Sequence, residues 1–242
     1  MDSTWTFTRL VIITGSFGSG KSEYAINLAL ERAQTNCIAN MTLVDLDLVN
    51  AYFRVREVRQ LLEDRQVQTI VPREDVLHSD LPIPGPGIAA LIKNLEMNVI
   101  IDVGGDDMGA TALRGYRDCI LGVDHDLLLV VNPYRPFTHT IEDIHTMKEE
   151  IEYRSGLKIN GVVSNPNSGI STNIDSLLAK HELVNRAAEL MALPMVEILV
   201  YRDLFREHQK LFSDFPCRVR PIDIFLTPGW LLKQQKEDGK KQ

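Results

Sequence analysis

Short apolar runs and helix-period segments alternate along most of this chain. Runs rich in Val, Ile and Leu fall at 10–14, 42–46, 69–71, 99–103, 127–132, 161–164 and 196–200. They lack polar alternation, the pattern of strands buried on both faces and hence of a parallel sheet. Between them apolar residues return at helical spacing: Ala25, Leu28, Ala29 and Ala33 share one face, and Leu177, Val184, Ala188 and Met191 another. Strand–helix alternation of this kind predicts an α/β fold, an open and mostly parallel sheet of about seven strands with helices on both faces. Such sheets bind ligands at the carboxyl ends of their strands.

Pro and Gly punctuate 78–87 (HSDLPIPGPG) too heavily for regular structure. No linker inside 9–230 marks a boundary, so one domain is expected over 1–230, with a polar tail over 231–242. At 242 residues, 44% hydrophobic and 24% charged, the chain can bury a full core. A net charge of -7 argues against broad electrostatic binding to nucleic acid or an anionic membrane. Cys37, Cys119 and Cys217 form no C-x-x-C pair, which supports neither a zinc ribbon nor a disulfide framework and fits reduced thiols. No apolar run approaches the ~20 residues of a membrane span, and the N-terminus lacks a signal pattern. The expectation is a cytoplasmic protein.

Chemistry first shows at Gly15-Ser16-Phe17-Gly18-Ser19-Gly20-Lys21-Ser22, between an apolar strand and an amphipathic helix. Phosphates need many donors converging on a small volume, and a loop supplies them only if its backbone turns tightly, hence the glycines. The helix that follows adds its N-terminal amides and dipole. In this pattern the lysine reaches the β- and γ-phosphates and the serine hydroxyl ligates Mg²⁺. The bare pattern arises by chance in roughly one such chain in a hundred; its strand-then-helix setting makes it a phosphate loop.

Two acidic elements accompany it. Asp102 ends the run Val99-Ile100-Ile101, as an aspartate that reaches the metal from a strand beside the loop does. Val103-Gly104-Gly105 follows, so Gly105 can offer its amide to the γ-phosphate and move when that phosphate leaves. Val44-Asp45-Leu46-Asp47, followed by Asn50, carries two carboxylates that point the same way at a strand end. Asp45 is assigned to the metal shell and Asp47 to the attacking water.

Together these segments resemble the MinD/ParA/cobyrinate-synthase group of P-loop ATPases, in the SIMIBI class that also holds signal-recognition and metallochaperone GTPases. The resemblance covers about 9–205 and rests on the loop, Val44 to Asp47, Ile101 to Gly105, and Gly161-Val162-Val163-Ser164-Asn165. It implies a doubly wound sheet, ATP with Mg²⁺, slow hydrolysis and nucleotide-controlled self-association or partner binding. It also implies that Asn165 meets the adenine edge, and that the strand over 196–201 leads to the loop enclosing the base.

The chain departs from that group in two places. Ser16 stands where dimer-forming members carry a lysine that crosses to the other subunit's phosphates, so at most a weak nucleotide-dependent homodimer is expected, with Arg54, Arg56 or Arg114 as substitutes for the charge. Glu23 follows Ser22 where the group has Ser or Thr, and an acid there repels phosphate unless it turns away. Asn165-Pro166-Asn167-Ser168 has neither the Lys nor the Asp of the guanine-reading N-K-x-D, which favours ATP over GTP. Three functions stay open: an ATP-driven switch for a protein partner, a small-molecule ligase or kinase with a second pocket near 75–87, and a binding module without hydrolysis. A metallochaperone-like GTPase would want clustered Cys or His, which the sequence does not offer. Asn132-Pro133-Tyr134-Arg135-Pro136 reads as a structural turn that also offers Arg135 to a nucleotide or partner. Trp230-Leu231-Leu232 reads as a packing segment.

Overall fold

The computed structural model describes residues 5–34, 40–46, 55–70, 86–105, 107–169 and 172–226. The first half runs β1 (Leu10–Thr14), α1 (Lys21–Gln34), β2 (Met41–Leu46), α2 (Val55–Asp64), β3 (Val67–Ile70), α3 (Pro86–Lys93), β4 (Asn98–Val103), α4 (Asp107–Arg114) and α5 (Arg117–Leu121). The second runs β5 (His125–Val131), α6 (Ile141–Ser155), β6 (Gly161–Ser164), α7 (Ile174–Leu190), β7 (Met195–Tyr201), α8 (Arg202–Glu207), α9 (Gln209–Phe212) and β8 (Arg218–Ile222). All pair in parallel as one eight-stranded sheet ordered β3-β2-β4-β1-β5-β6-β7-β8.

Alternation along each strand sends neighbours to opposite faces, and two apolar layers follow from it. Val11, Ile13, Leu43, Ile100 and Val130 pack with Tyr24, Leu28, Val58 and Leu62 of α1 and α2. Leu10, Ile12, Val44, Ile101 and Leu129 pack with Ile92, Leu113, Ile144, Met147 and Val184 from α3, α4, α6 and α7. The sheet is thus covered on both sides, as the unalternating strands require.

Local chemistry sets several helix ends. Thr140 caps α6 by accepting from Asp143 N at 3.1 Å, and Asp143 returns a bond to Thr140 N, a reciprocal capping box. Asn173 and Ser176 repeat the device on α7. Helix α3 begins at Pro86, inside the stretch expected to be irregular, because proline's fixed φ suits a first helical position. One strand exceeds the expected number: β8, Arg-Val-Arg-Pro-Ile, joins beyond β7.

Cys119 and Cys217 are free and half-buried, and burial pushes the Cys217 thiol up to about 11. No helix among the described residues is long and apolar enough to cross a membrane. Asp47, Asn50, Arg54, Cys37, Trp230, the tail and 75–85 lie outside the described residues. Arg56 is described only as part of the backbone of α2.

Candidate nucleotide site

Strand β1 lies between β4 and β5, where successive strands stop adding on one side and begin adding on the other. A crevice opens at such a reversal beyond the carboxyl ends of the strands, and residues 15–20 run out of β1 into it. The loop closes on itself through Ser19 N donating to Ser16 O at 3.1 Å. Two of its glycines are forced by geometry. Gly15, at φ 150°, passes so close to the Val130 carbonyl that a Cβ would collide with it. Gly20, at φ 88°, lies against the Asn165 amide, which leaves no room for a side chain either.

Lys21 opens α1 with only 1% of its surface exposed, and its Nζ has no hydrogen-bond partner among the described residues. The Oγ atoms of Ser16 and Ser19 are buried and have none there either. A buried ammonium without an acceptor is costly, and an anion bound beside it would remove that cost. Gly105 closes the same space from β4: a Cβ on it would fall 2.7 Å from Phe17 N and 2.9 Å from Lys21 Nζ. Its bare backbone leaves that volume open beside the lysine.

Asp45 and Asp102 are register partners on adjacent strands, each 2% exposed, and Asp102 is also opposite Ile13 of β1. Leu43 and Ile100, two residues earlier, belong to the layer under α1, so both carboxylates continue onto the α1 side, where Ser22 is buried in the first turn. These three residues suit a Mg²⁺ that takes the rest of its oxygen shell from phosphate and water. Among the described residues no three His, Cys, Asp or Glu side chains gather into a metal cage of their own.

Asn165 lies on the loop. Its Nδ2 donates to Ser19 O at 2.6 Å, its Oδ1 accepts from Asn167 Nδ2, and Asn167 also donates to Leu199 O at 3.2 Å. Glu23 does turn away from the phosphate side. Its carboxylate accepts from Phe225 N at 3.0 Å and Leu226 N at 2.7 Å, beyond β8. Burial first, and Glu23 second, raise the Tyr201 phenol, while Arg135 opposes them. Arg114 is occupied elsewhere, donating to Tyr153 O and Arg154 O near the end of α6 at 3.3 Å.

Two further features border the loop. A cavity of about 250 Å³ opens on the side of the loop marked by Gly15, Ser16, Gly104 and Gly105, with Met147, Glu150 and Ile151 of α6 opposite. Phe137, 77% exposed and at φ 70°, stands at its edge. The sequence offered 75–87 as the one place for a second pocket, and only under the ligase or kinase reading, since nothing in the spacing of α6 points at the loop. The other feature is Arg135, whose Nε donates to Gly18 O at 2.9 Å. A proline-bracketed arginine at the carboxyl end of β5, next to β1, was the signal for it.

The fold is that of the P-loop NTPases. Cell division protein FtsY from Thermotoga maritima is similar at 16% identity over 83% of this chain and 65% of that chain, with a TM-score of 0.52. The signal recognition particle receptor FtsY from Elizabethkingia anophelis in complex with GDP is similar at 16% identity, 81% and 58% coverage, and a TM-score of 0.50. A nucleotide-binding protein in complex with ADP from Archaeoglobus fulgidus aligns at 17% identity, 81% and 84% coverage, and a TM-score of 0.45. The chain spans 65% of the length of the Thermotoga FtsY chain. No protein-family profile matches the chain, and no curated protein is similar to it.

Proposed function

We propose that this chain binds Mg·ATP at the 15–22 loop, hydrolyses it slowly, and uses the two nucleotide states to switch its association with a protein partner, in the manner of the MinD/ParA/cobyrinate-synthase group. The observation that carries the reading is the buried, unpartnered Lys21 Nζ beside the open backbone of Gly105. Lys21 meets the β- and γ-phosphates, the loop amides hold the chain of phosphates, and Gly105 takes the γ-phosphate. Ser22, Asp45 and Asp102 would hold Mg²⁺, and the bound ion would supply positive charge against that developing on the transferred phosphoryl group. Asp47 orients the water. Ser16 leaves only a weak nucleotide-dependent homodimer.

The adenine preference rests on Asn165 and on the missing N-K-x-D pattern. The bond to Ser19 O uses one of the two Nδ2 hydrogens of Asn165, and the other is the donor assigned to adenine. Calorimetry with Mg·ATP and Mg·GTP tests the assignment. ATP binds more tightly, and Asn165→Ala weakens ATP while leaving inorganic triphosphate unchanged. Equal or tighter GTP binding overturns the adenine assignment and favours a GTPase.

The cavity beside Ser16 and Gly105 favours a second reading, a phosphotransferase whose small-molecule acceptor sits against α6. Turnover separates the two: a switch hydrolyses ATP slowly alone, whereas a phosphotransferase is nearly silent until its acceptor is supplied.

A further inference from the structure

The turn between β5 and α6 is held by its backbone and by side chains other than that of its arginine. Arg135 N donates to Asn132 O at 3.1 Å, and Tyr134 N donates to Asn132 Oδ1 at 3.0 Å. The buried Thr138 hydroxyl donates to Asn132 O at 2.6 Å, and Asn132 Nδ2 ties the turn to Asn167 O at 2.9 Å. The backbone path is therefore fixed before the Arg135 side chain is considered.

That side chain is exposed, and among the described residues its one hydrogen bond is the Nε contact to Gly18 O. The guanidinium lies over Gly18: a Cβ there would be 3.1 Å from Nε and 3.6 Å from Cζ. A single exposed bond to a loop carbonyl contributes only about 1 kcal/mol, which leaves most of the cation's capacity unused. A guanidinium anchored by Nε keeps two further amino groups, the fork that matches phosphate oxygens.

Its position selects which phosphates. Gly105 and the cavity mark the γ side of the loop, with Gly15 and Ser16, and Arg135 does not line that cavity. Arg135 covers Gly18 instead, on the side where its charge is felt by Tyr201 together with that of Glu23. Tyr201 ends β7, where the nucleoside end of a bound nucleotide is expected.

We propose that Arg135 is a diphosphate-binding residue, its terminal amino groups contacting the α- and β-phosphates that ADP and ATP share. It supplies from the β5–α6 turn a cation that the loop lacks at Ser16. The inference rests on the nucleotide reading given above and goes beyond it.

Calorimetry on the full chain with Mg²⁺ tests it, using ADP, ATP and adenosine as probes. Arg135→Ala weakens ADP and ATP alike, by about tenfold or more, and leaves adenosine and the nucleotide-free unfolding midpoint unchanged. Arg135→Gln keeps a donor for Gly18 O without the charge and is as weak as Arg135→Ala. Unchanged ADP affinity, a loss confined to ATP, or wild-type affinity in Arg135→Gln overturns the proposal while leaving the nucleotide reading intact. A wild-type chain that binds neither ADP nor ATP overturns both.

Discussion

Helix α1 has a buried cation near each end, and the two are treated differently. At its start Lys21 is 1% exposed with no partner for Nζ. Near its other end Arg220 of β8, 2% exposed, donates from Nε to Glu197 at 2.8 Å and from Nη1 to Glu31. Arg218 also pairs with both acids, and the Arg220 guanidinium lies 5.8 Å from the centre of the Tyr24 ring. Burial works against the Arg220 charge, but Glu197, Tyr24 and Glu31 more than offset it and hold its pKa above the ordinary value. The Arg220 charge is met by carboxylates of the chain itself, whereas under the proposed function the Lys21 charge is met by the nucleotide. The two clusters share one helix, so each is the control for the other.

The sharpest break in that comparison is Lys21→Ala. Two charge-assisted bonds at ~1.5–3 kcal/mol each correspond to a loss of about 10²- to 10⁴-fold in Mg·ATP affinity. The same substitution removes an uncompensated buried charge, so the nucleotide-free chain keeps or gains stability. Calorimetry and denaturant unfolding on one preparation read both. A large loss of nucleotide-free stability would mean that Lys21 has an internal structural role after all.

Arg220→Ala reverses the pattern. Removing Arg220 leaves the fully buried Glu197 only its longer 3.6 Å contact with Arg218 Nε, and breaking a buried pair costs about 3–5 kcal/mol. Unfolding by denaturant shows that loss, while ADP affinity of the molecules still folded changes little. The double substitution Glu197→Leu with Arg220→Met recovers most of it, since it removes the stranded charge rather than creating one. Failure to recover would mean that Glu31 and Arg218 depend on the pair for their own placement.

The same division explains what the sequence could tell. The loop was legible because its pattern is local: eight consecutive residues carry the glycines, the lysine and the serine after it. The inner strands were legible because burial on both faces writes itself as runs of Val, Ile and Leu, whereas the edge strand β3, Val-Gln-Thr-Ile, is only partly buried. Strand β8 was not, because Arg218, Arg220 and Pro221 argue against a buried strand until the acids that neutralise them are in view. Those acids are remote, Glu197 23 residues before Arg220 and Glu31 189 residues before it. Arg135 and Gly18 meet across 117 residues for the same reason. Sequence patterns report what a residue is and what its helix or strand buries, but a pairing between distant elements leaves no period to read.

Glu23 sets the smallest effect and the finest test, because it lies two residues from Lys21 yet belongs to the structural cluster. Glu23, Asn27 and Glu31 recur every fourth residue along α1 and fasten the end of the described chain. Glu23 takes the amides of Phe225 and Leu226, Asn27 exchanges two 2.9 Å bonds with the Asp223 backbone, and Glu31 takes the arginines. Asp223 is further held by Arg202, whose Nε and Nη2 meet its carboxylate at 2.7 and 2.6 Å and lower its pKa. Glu23→Ala leaves two half-buried amides without their acceptor, a cost of about 1–3 kcal/mol. Glu23→Gln keeps one acceptor oxygen and returns part of that. Because the carboxylate faces the 223–226 segment and not the loop, ADP affinity stays within about threefold, the change expected from weak, screened charge–charge terms. Denaturant unfolding without nucleotide and ADP titration on the same two variants measure both quantities. An ADP affinity that rises tenfold in Glu23→Ala, with stability unchanged, would put the acid on the phosphate side, and the boundary between site and structure would have to move one turn further along α1.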